Sequence, residues 1–284
     1  MSSKIAVAVV HGIGRPDPGF ADGLVKSVRR RFAKDTGASA NFLVVRPVFW
    51  APVIQKEEDE LWRRLQTGGS MDFVKLRRLM VDFAADAIAY QPAPRERDLY
   101  EAVHQVFAKT LRALAEEAGP RAPLCVIAHS LGTVIASNYI YDLQADPRKK
   151  VIAKSVRAEM GKTPLEKGET LALLYTLGSP LALWSLRYRD FGKPVQVPSL
   201  KLNRHYPGLA GEWVNYYDRD DVIGYPLKSI NDAYDKAVAA DRAVNAGGIL
   251  SGWSPASHTE YWTDDDIAQP IGQALGRLWK SISR

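Results

Sequence analysis

The stretch that most constrains the fold is residues 124–135, which read LCVIAHSLGTVI. Apolar residues typical of a buried strand run into the segment AHSLG, and an apolar helical pattern follows. A serine on so sharp a strand-to-helix turn takes strained backbone geometry, so the residues two positions before and after Ser130 must be small. Ala128 and Gly132 meet that requirement. The stretch therefore has the form of a nucleophile elbow, G-x-S-x-G, with alanine in the first small position.

Short runs rich in Val and Leu alternate with longer segments of helical period along the chain. This alternation predicts an α/β fold, a mostly parallel sheet flanked by helices, in one domain that covers residues 1–284. Strands are expected at residues 4–10, 42–49, 124–129, 170–177, 213–217 and 241–246.

Residues 50–118 carry helical patterns, and no strand is predicted within this segment, so we expect a helical insertion, or cap, within the domain. One apolar stripe of this segment consists of Phe73, Leu76, Met80, Phe83 and Ala87, and a second consists of Leu99, Val103, Val106, Leu111 and Leu114. Such stripes either pack against the core or face a substrate cavity.

A glycine-containing loop follows the first predicted strand, in AVVHGIGRPDPGF at residues 8–20. Bare backbone at the end of a strand suits phosphate binding or oxyanion binding. A dinucleotide fingerprint, G-x-G-x-x-G, needs glycine where this chain has Asp17, whose negative charge would face a pyrophosphate. The loop is therefore interpreted as an oxyanion-binding turn, with His11 fixing its shape through the ring nitrogens.

The serine needs a histidine base that is oriented by a carboxylate. His258, in SPASHTEYW, follows the last predicted strand and precedes the final helical pattern, so it is the candidate base. The other histidines are worse placed: His11 in the glycine loop, His104 in the insertion, His129 beside the serine, and His205 before the last plausible acid-bearing strand. The run WVNYYDRDDVIGYP offers three acids at a strand end, Asp218, Asp220 and Asp221.

These four features, VVHGIG, AHSLG, a late strand-end Asp and a terminal-loop His, resemble the α/β-hydrolase superfamily. The first two motifs are most similar to compact bacterial lipases and carboxylesterases. The resemblance implies an α/β-hydrolase fold and a triad of Ser130, Asp220 and His258. Asp220 is preferred because the residues after it are similar to the D-x-V-x-x-x-P that follows the acid of many lipases, while Asp218 and Asp221 remain alternatives.

By the same resemblance, the backbone N–H groups of Ile13 and Leu131 would form the oxyanion hole. Trp184, in LGSPLALWSL, and Tyr261 with Trp262 beside the base either line an acyl or alkyl pocket or pack in the core. No metal or organic cofactor is implied.

Charge, cysteine content and apolar runs indicate which kinds of binding partner and which cellular compartment to expect. The net charge is +6, but the Lys and Arg clusters fall among apolar residues at helical spacing, which is typical of solvated helix faces, so no nucleic-acid partner is expected. Cys125 has no partner for an intramolecular disulfide, and no signal-like or bilayer-spanning apolar run is present. We therefore expect a cytoplasmic protein without stable membrane insertion.

The predicted function is hydrolysis of carboxylic esters, small-molecule or lipid, through an acyl-enzyme on Ser130. Two alternatives remain open: a non-catalytic ligand-binding protein on the same fold, and an amidase or thioesterase that uses the same triad.

Overall fold

One parallel β-sheet organises the chain in the computed structural model, which describes residues 3–13, 16–67, 90, 97–187, 193–246 and 257–283. Its strands are β1 (Ile5–Val10), β2 (Leu43–Val48), β3 (Leu124–His129), β4 (Leu171–Leu177), β5 (Glu212–Asp218) and β6 (Ala240–Val244). They lie in the order β2-β1-β3-β4-β5-β6, and each neighbouring pair is parallel. The predicted α/β class, with a mostly parallel sheet flanked by helices, is confirmed.

Helices connect the strands and cover both faces of the sheet. They are α1 (Asp22–Thr36), α2 (Gln55–Thr67), α3 (Asp98–Ala118), α4 (Leu131–Lys149), α5 (Lys154–Glu159), α6 (Leu181–Trp184), α7 (Leu202–His205), α8 (Asp232–Ala237) and α9 (Asp265–Ile282). Short 3₁₀ helices span Ala40–Phe42, Ala51–Val53, Ser185–Arg187, Lys228–Ile230 and Ser257–Trp262. Within the described ranges, no helix is both long enough and apolar enough to cross a membrane.

The alternation of side chains along the strands divides the core into two layers. Ala6 and Ala8 of β1 point to one face of the sheet, where they join buried residues of α3 and α4. Ile5 and Val7 point to the other face and join buried residues of α1 and α9. Both faces of the central strands are therefore covered, which explains why these strands are apolar throughout rather than alternating.

Helix α3 corrects the expected extent of the insertion. Its apolar stripe is buried in the same core layer as β1, and the helix packs against β1 and β2. Residues 98–118 thus form the crossover helix that leads into β3, and not part of a cap. The other stripe, from Phe73 to Ala87, lies outside the described residues, so a cap there stays a prediction.

The carboxyl ends of the parallel strands meet at one edge of the sheet, as parallel pairing requires. His11 follows β1, Ser130 follows β3, Gly178 follows β4, and Asp221 lies in the loop after β5. This edge brings together segments that are far apart in the sequence.

Candidate active site

Ser130 occupies the strained turn that its sequence predicts. Its backbone lies at φ 53° and ψ −131°, a region that residues with a Cβ rarely adopt. The turn is held on both sides, because the Ser130 N–H donates to the Leu177 carbonyl at 2.9 Å and the Thr133 hydroxyl donates to the Ser130 carbonyl at 2.7 Å. Since α4 begins at Leu131, the serine lies at the helix N-terminus.

Two glycines allow the chain to pack tightly around this turn. A Cβ on Gly132 would overlap the carbonyl oxygen of His11 and lie 2.8 Å from that of Val10, so the first turn of α4 can approach β1 only with glycine here. A Cβ on Gly12 would overlap the Ser130 Cβ and lie 3.1 Å from its Oγ. The glycine loop therefore passes directly against the serine side chain.

Ser130, His258 and Asp221 form one hydrogen-bonded chain. The Ser130 Oγ lies 2.6 Å from His258 Nε2, and His258 Nδ1 lies 2.8 Å from Asp221 Oδ2. All three residues are buried. Because an ionised carboxylate can only accept, Nδ1 carries the proton, and Nε2 is left to accept from the serine hydroxyl.

The acid in contact with the base is Asp221, which corrects the expectation of Asp220. Asp218 ends β5, and its carboxylate accepts a hydrogen bond from the Asp220 N–H at 2.9 Å. The turn that results leaves Asp220 exposed and directs Asp221 into the interior. Asp218 is buried too, but its other oxygen accepts from the Ala246 N–H at 2.7 Å.

The surroundings of Asp221 favour its ionised form. Burial raises the pKa of this carboxyl, but hydrogen bonds from His258, the Ile223 N–H and the Tyr261 hydroxyl outweigh burial and hold the pKa below its ordinary value. Gly178 and Gly224 leave room for the carboxylate, since a Cβ on either would lie within about 3 Å of Asp221 Oδ2. The loop after β5 thus holds a charged group in a buried place.

Two of the three aromatic residues that were expected either to line a pocket or to pack in the core are buried close to His258 and Ser130. Tyr261 is fully buried and its hydroxyl bonds Asp221, so it lies behind the triad and not in a substrate pocket. Trp262 is buried between Phe20 and His129, with ring centroids at 5.1 and 5.4 Å, which favours the core-packing alternative. Trp184, on α6, is partly buried against the core layer that contains α3 and α4, so a pocket role for it stays a prediction.

His129, the residue before the serine, contacts the segment that carries the base. Its Nε2 lies 2.6 Å from the backbone carbonyl oxygen of His258, so this nitrogen carries the proton and donates it. Burial, followed by the neighbouring His258, lowers the pKa of His129 to about 3. The ring is therefore neutral, and it ties the end of β3 to the Ser257–Trp262 helix without adding charge.

His11 has the structural role that the sequence predicts. Its Nδ1 donates to the Gly12 carbonyl at 2.8 Å, and its Nε2 accepts from the backbone N–H groups of Trp50 and Ala51 at 3.1 and 3.2 Å. The ring stacks on Trp50 at a centroid distance of 4.7 Å. Burial lowers the pKa of His11 to about 4, against a smaller opposing effect of the bond to Gly12. The neutral ring pins the glycine loop to the segment after β2.

The two expected oxyanion donors, Ile13 and Leu131, each follow a residue that is part of the Ser130 turn or lies against it. Leu131 is the first residue of α4, and the N–H groups of a first helical turn have no partner within the helix. Ile13 follows Gly12, which lies against Ser130, while Gly14 lies outside the described residues. Their role as donors stays a prediction.

Other serine and histidine candidates lack this arrangement. Ser179, also at the carboxyl edge, donates to the Thr133 hydroxyl at 2.7 Å, because the Thr133 proton is directed at the Ser130 carbonyl, and it accepts from the Leu181 N–H. His205 pairs with Glu169 at 3.0 Å, away from any serine in the contacts described for it. Sequence reasoning missed the contacts of Tyr261 and His129. The spacing of Tyr261 three residues after His258 was a usable signal, because such residues share a face in a 3₁₀ helix.

Comparison with known proteins finds solved structures that are similar to this chain at low sequence identity. No protein-family model matches the chain, and no curated protein matches it. Among solved structures, the chain is similar to the esterase domain of a Rhodothermus marinus protein (12% identity over 99% of this chain and 88% of that one, TM-score 0.36). It is similar also to a Pyrobaculum calidifontis esterase (14%, 99% and 78%, TM-score 0.38) and to a fungal esterase from Rhizomucor miehei (11%, 96% and 76%, TM-score 0.41). At identities and TM-scores this low, the likeness carries no conclusion about the activity of this chain.

Proposed function

We propose that this protein is a serine hydrolase that cleaves carboxylic esters through an acyl-enzyme on Ser130. The observation that carries the proposal is the continuous chain from Ser130 Oγ through His258 to Asp221, at 2.6 and 2.8 Å, with the serine on a strained turn. A serine hydroxyl bonded to a neutral imidazole, which is itself bonded to a buried carboxylate, is the arrangement that activates an oxygen nucleophile.

Each group has one task in the proposed reaction. Ser130 Oγ attacks the ester carbonyl carbon while His258 Nε2 takes the hydroxyl proton. Asp221 stabilises the imidazolium that forms, and the N–H groups of Ile13 and Leu131 bind the oxyanion. His258 then gives its proton to the leaving alcohol. A water molecule that gives a proton to His258 attacks the acyl carbon, and His258 returns that proton to Ser130 Oγ as the bond to the serine breaks and the acid leaves.

The first test is active-site labelling together with turnover. A fluorophosphonate is expected to form its adduct on Ser130, located by mass spectrometry of the digested protein. Chromogenic esters of graded acyl length are expected to show a burst of alcohol followed by steady turnover. Ser130→Ala should lower kcat on the order of 10⁴-fold or more, because the nucleophile is removed, while the thermal midpoint is kept.

The matched control is Ser179→Ala, which removes a buried serine at the same edge that has no histidine partner in the described contacts. It should keep its labelling and most of its turnover. An adduct on Ser179 would contradict the assignment of the nucleophile. Labelling without turnover of any ester would contradict the esterase, and thioester and anilide substrates in the same panel would then separate a thioesterase or amidase from a ligand-binding protein.

A further inference from the structure

Tyr261 and His258 lie on one short helix and bond the same carboxylate oxygen. They belong to the 3₁₀ helix Ser257–Trp262, in which side chains three residues apart lie on one face. His258 Nδ1 and the Tyr261 hydroxyl are each 2.8 Å from Asp221 Oδ2. The base and the tyrosine therefore share one acceptor atom, and a change at one contact alters the other.

The direction of the tyrosine hydrogen bond follows from its second partner. The Asp218 N–H donates to the Tyr261 hydroxyl oxygen at 2.8 Å, so the hydroxyl proton is left to point at Asp221. Burial, and then the charge of Asp221, raise the pKa of Tyr261, which keeps the hydroxyl protonated. The ring cannot easily move away, because a Cβ on Gly178 would already lie 2.9 Å from its Cε2, which shows how closely the backbone covers it.

We propose that Tyr261 is a positioning residue of the triad, which holds Asp221 and weakens the attraction between its carboxylate and the His258 imidazolium. A donor that shares Oδ2 disperses the negative charge on that oxygen. The imidazolium is then held less strongly than it would be without the tyrosine. The inference rests on the proposed function, since it assigns how the pH range of that reaction is set.

Among the described groups around His258, Asp221 carries the charge, and Tyr261 bonds the Asp221 oxygen that faces the base. Asp221 approaches from the loop after β5, and Ser130 from the turn after β3. His129, from the end of β3, is a neutral ring that donates to the His258 carbonyl. The Asp218 carboxylate accepts hydrogen bonds from the backbone N–H groups of Asp220 and Ala246. Among the described contacts of His258, Asp221 is thus the charged partner.

The test is the pH profile of kcat/KM for Tyr261→Phe. Removing the hydroxyl should shift the acid limb to higher pH by about half a unit to one unit, while kcat on the plateau falls less than about tenfold. The control is Tyr225→Phe, whose hydroxyl donates to the Val222 carbonyl in the same loop at 2.7 Å without touching Asp221. It should leave the limb in place. An unshifted limb in Tyr261→Phe, or an equal shift in the control, would overturn the proposal.

Two further variants keep the test valid if Tyr261→Phe is destabilised. Incorporation of 3-fluorotyrosine at position 261 keeps the shape and makes the hydroxyl a stronger donor, so the limb should shift to lower pH. In an Asp221→Asn background, Tyr261→Phe should cause no shift, because the shared carboxylate is gone. A shift of the same size in that background would mean that Tyr261 acts by another route.

A measurement without substrate separates this inference from the proposed function. The His258 ring signals can be titrated by NMR in the native chain and in both position-261 variants. Opposite displacements of the midpoint, upward for phenylalanine and downward for fluorotyrosine, would support the role of Tyr261 even if no ester is hydrolysed. Identical midpoints in an active enzyme would refute the role of Tyr261 and leave the esterase standing.

Discussion

Two buried histidine–aspartate pairs in this protein use the same residue types in opposite surroundings. In one, His258 Nδ1 lies 2.8 Å from Asp221 Oδ2; in the other, His104 Nδ1 lies 3.5 Å from Asp142 Oδ2. The first joins loops at the carboxyl edge of the sheet. The second joins α3 to α4 within the core layer that covers one face of the sheet.

The carboxylates differ in how their charge is compensated. Among the described residues, Asp221 accepts hydrogen bonds from three donors, and its pKa is lowered in spite of burial. Asp142 accepts from the Tyr100 hydroxyl at 2.8 Å, and burial raises its pKa to about 6, more than that bond lowers it. A buried carboxylate thus stays charged at neutral pH at little cost only where enough donors replace water.

The imidazoles differ in what their second nitrogen meets. His258 Nε2 faces the serine on the strained turn, whereas His104 Nε2 lies 2.9 Å from the Tyr90 hydroxyl. Burial lowers the pKa of His104 to about 3, so this ring is neutral. The Asn138 side chain also donates to the Tyr90 hydroxyl, at 3.3 Å. The first pair meets a serine hydroxyl, whereas in the second His104, together with Asn138, ties Tyr90 to α3 and α4.

The largest expected contrast is in activity. Asp221→Asn should lower kcat on the order of 10⁴-fold at neutral pH, because the asparagine no longer stabilises the imidazolium or the working tautomer. Asp142→Asn should stay within about twofold of the native kcat, as should Asp220→Asn, which changes the exposed neighbour. Steady-state hydrolysis of a chromogenic ester measures all three. A comparable loss in Asp142→Asn would end the distinction between the pairs.

The next contrast is in the pH dependence of stability. The folded-state pKa of Asp142 is raised from 3.8 to about 6, so its contribution to stability is fully present below pH 3.8 and is lost as the pH rises through about 6. The free energy of unfolding of Asp142→Asn, relative to that of the native chain, should therefore rise by on the order of 2 kcal/mol between pH 4 and pH 7. The thermal midpoint of the variant should rise with it, relative to the native midpoint. Calorimetry across that range measures the difference. If the difference in stability between the variant and the native chain stays flat or falls with pH, the charge of Asp142 does not destabilise the folded protein.

The smallest contrast concerns the hydroxyl at the second histidine. Tyr90→Phe removes the bonds to His104 and Asn138, so it should lower the free energy of unfolding by about 1 to 2 kcal/mol with the specific activity unchanged. Tyr225→Phe, which loses an exposed hydroxyl bond, is the control and should change stability by less than about 0.5 kcal/mol. Denaturant titration of both variants tests this. Loss of activity without loss of stability in Tyr90→Phe would instead link the second pair to the reaction.

Local signals in the sequence were enough to predict the fold class, the strands and two of the three residues in the hydrogen-bonded chain of Ser130, His258 and Asp221. Strand positions follow from short apolar runs, because both faces of the central strands are buried. Ser130 follows from the small residues on either side of it, which the strained turn requires. His258 follows from chain order, since it lies after the last strand.

Only the tertiary structure decided between Asp220 and Asp221. The two differ by one position in a turn, and the choice depends on a backbone bond to the Asp218 carboxylate that spacing does not reveal. The same limit applies to α3, whose apolar stripe has the same period whether it covers the sheet or a cavity. Tyr261 was expected beside the base, lining a pocket or packing in the core, and spacing does not reveal its bond to Asp221. Periodicity reports which side of an element is buried, whereas the contact it makes there depends on elements distant in sequence.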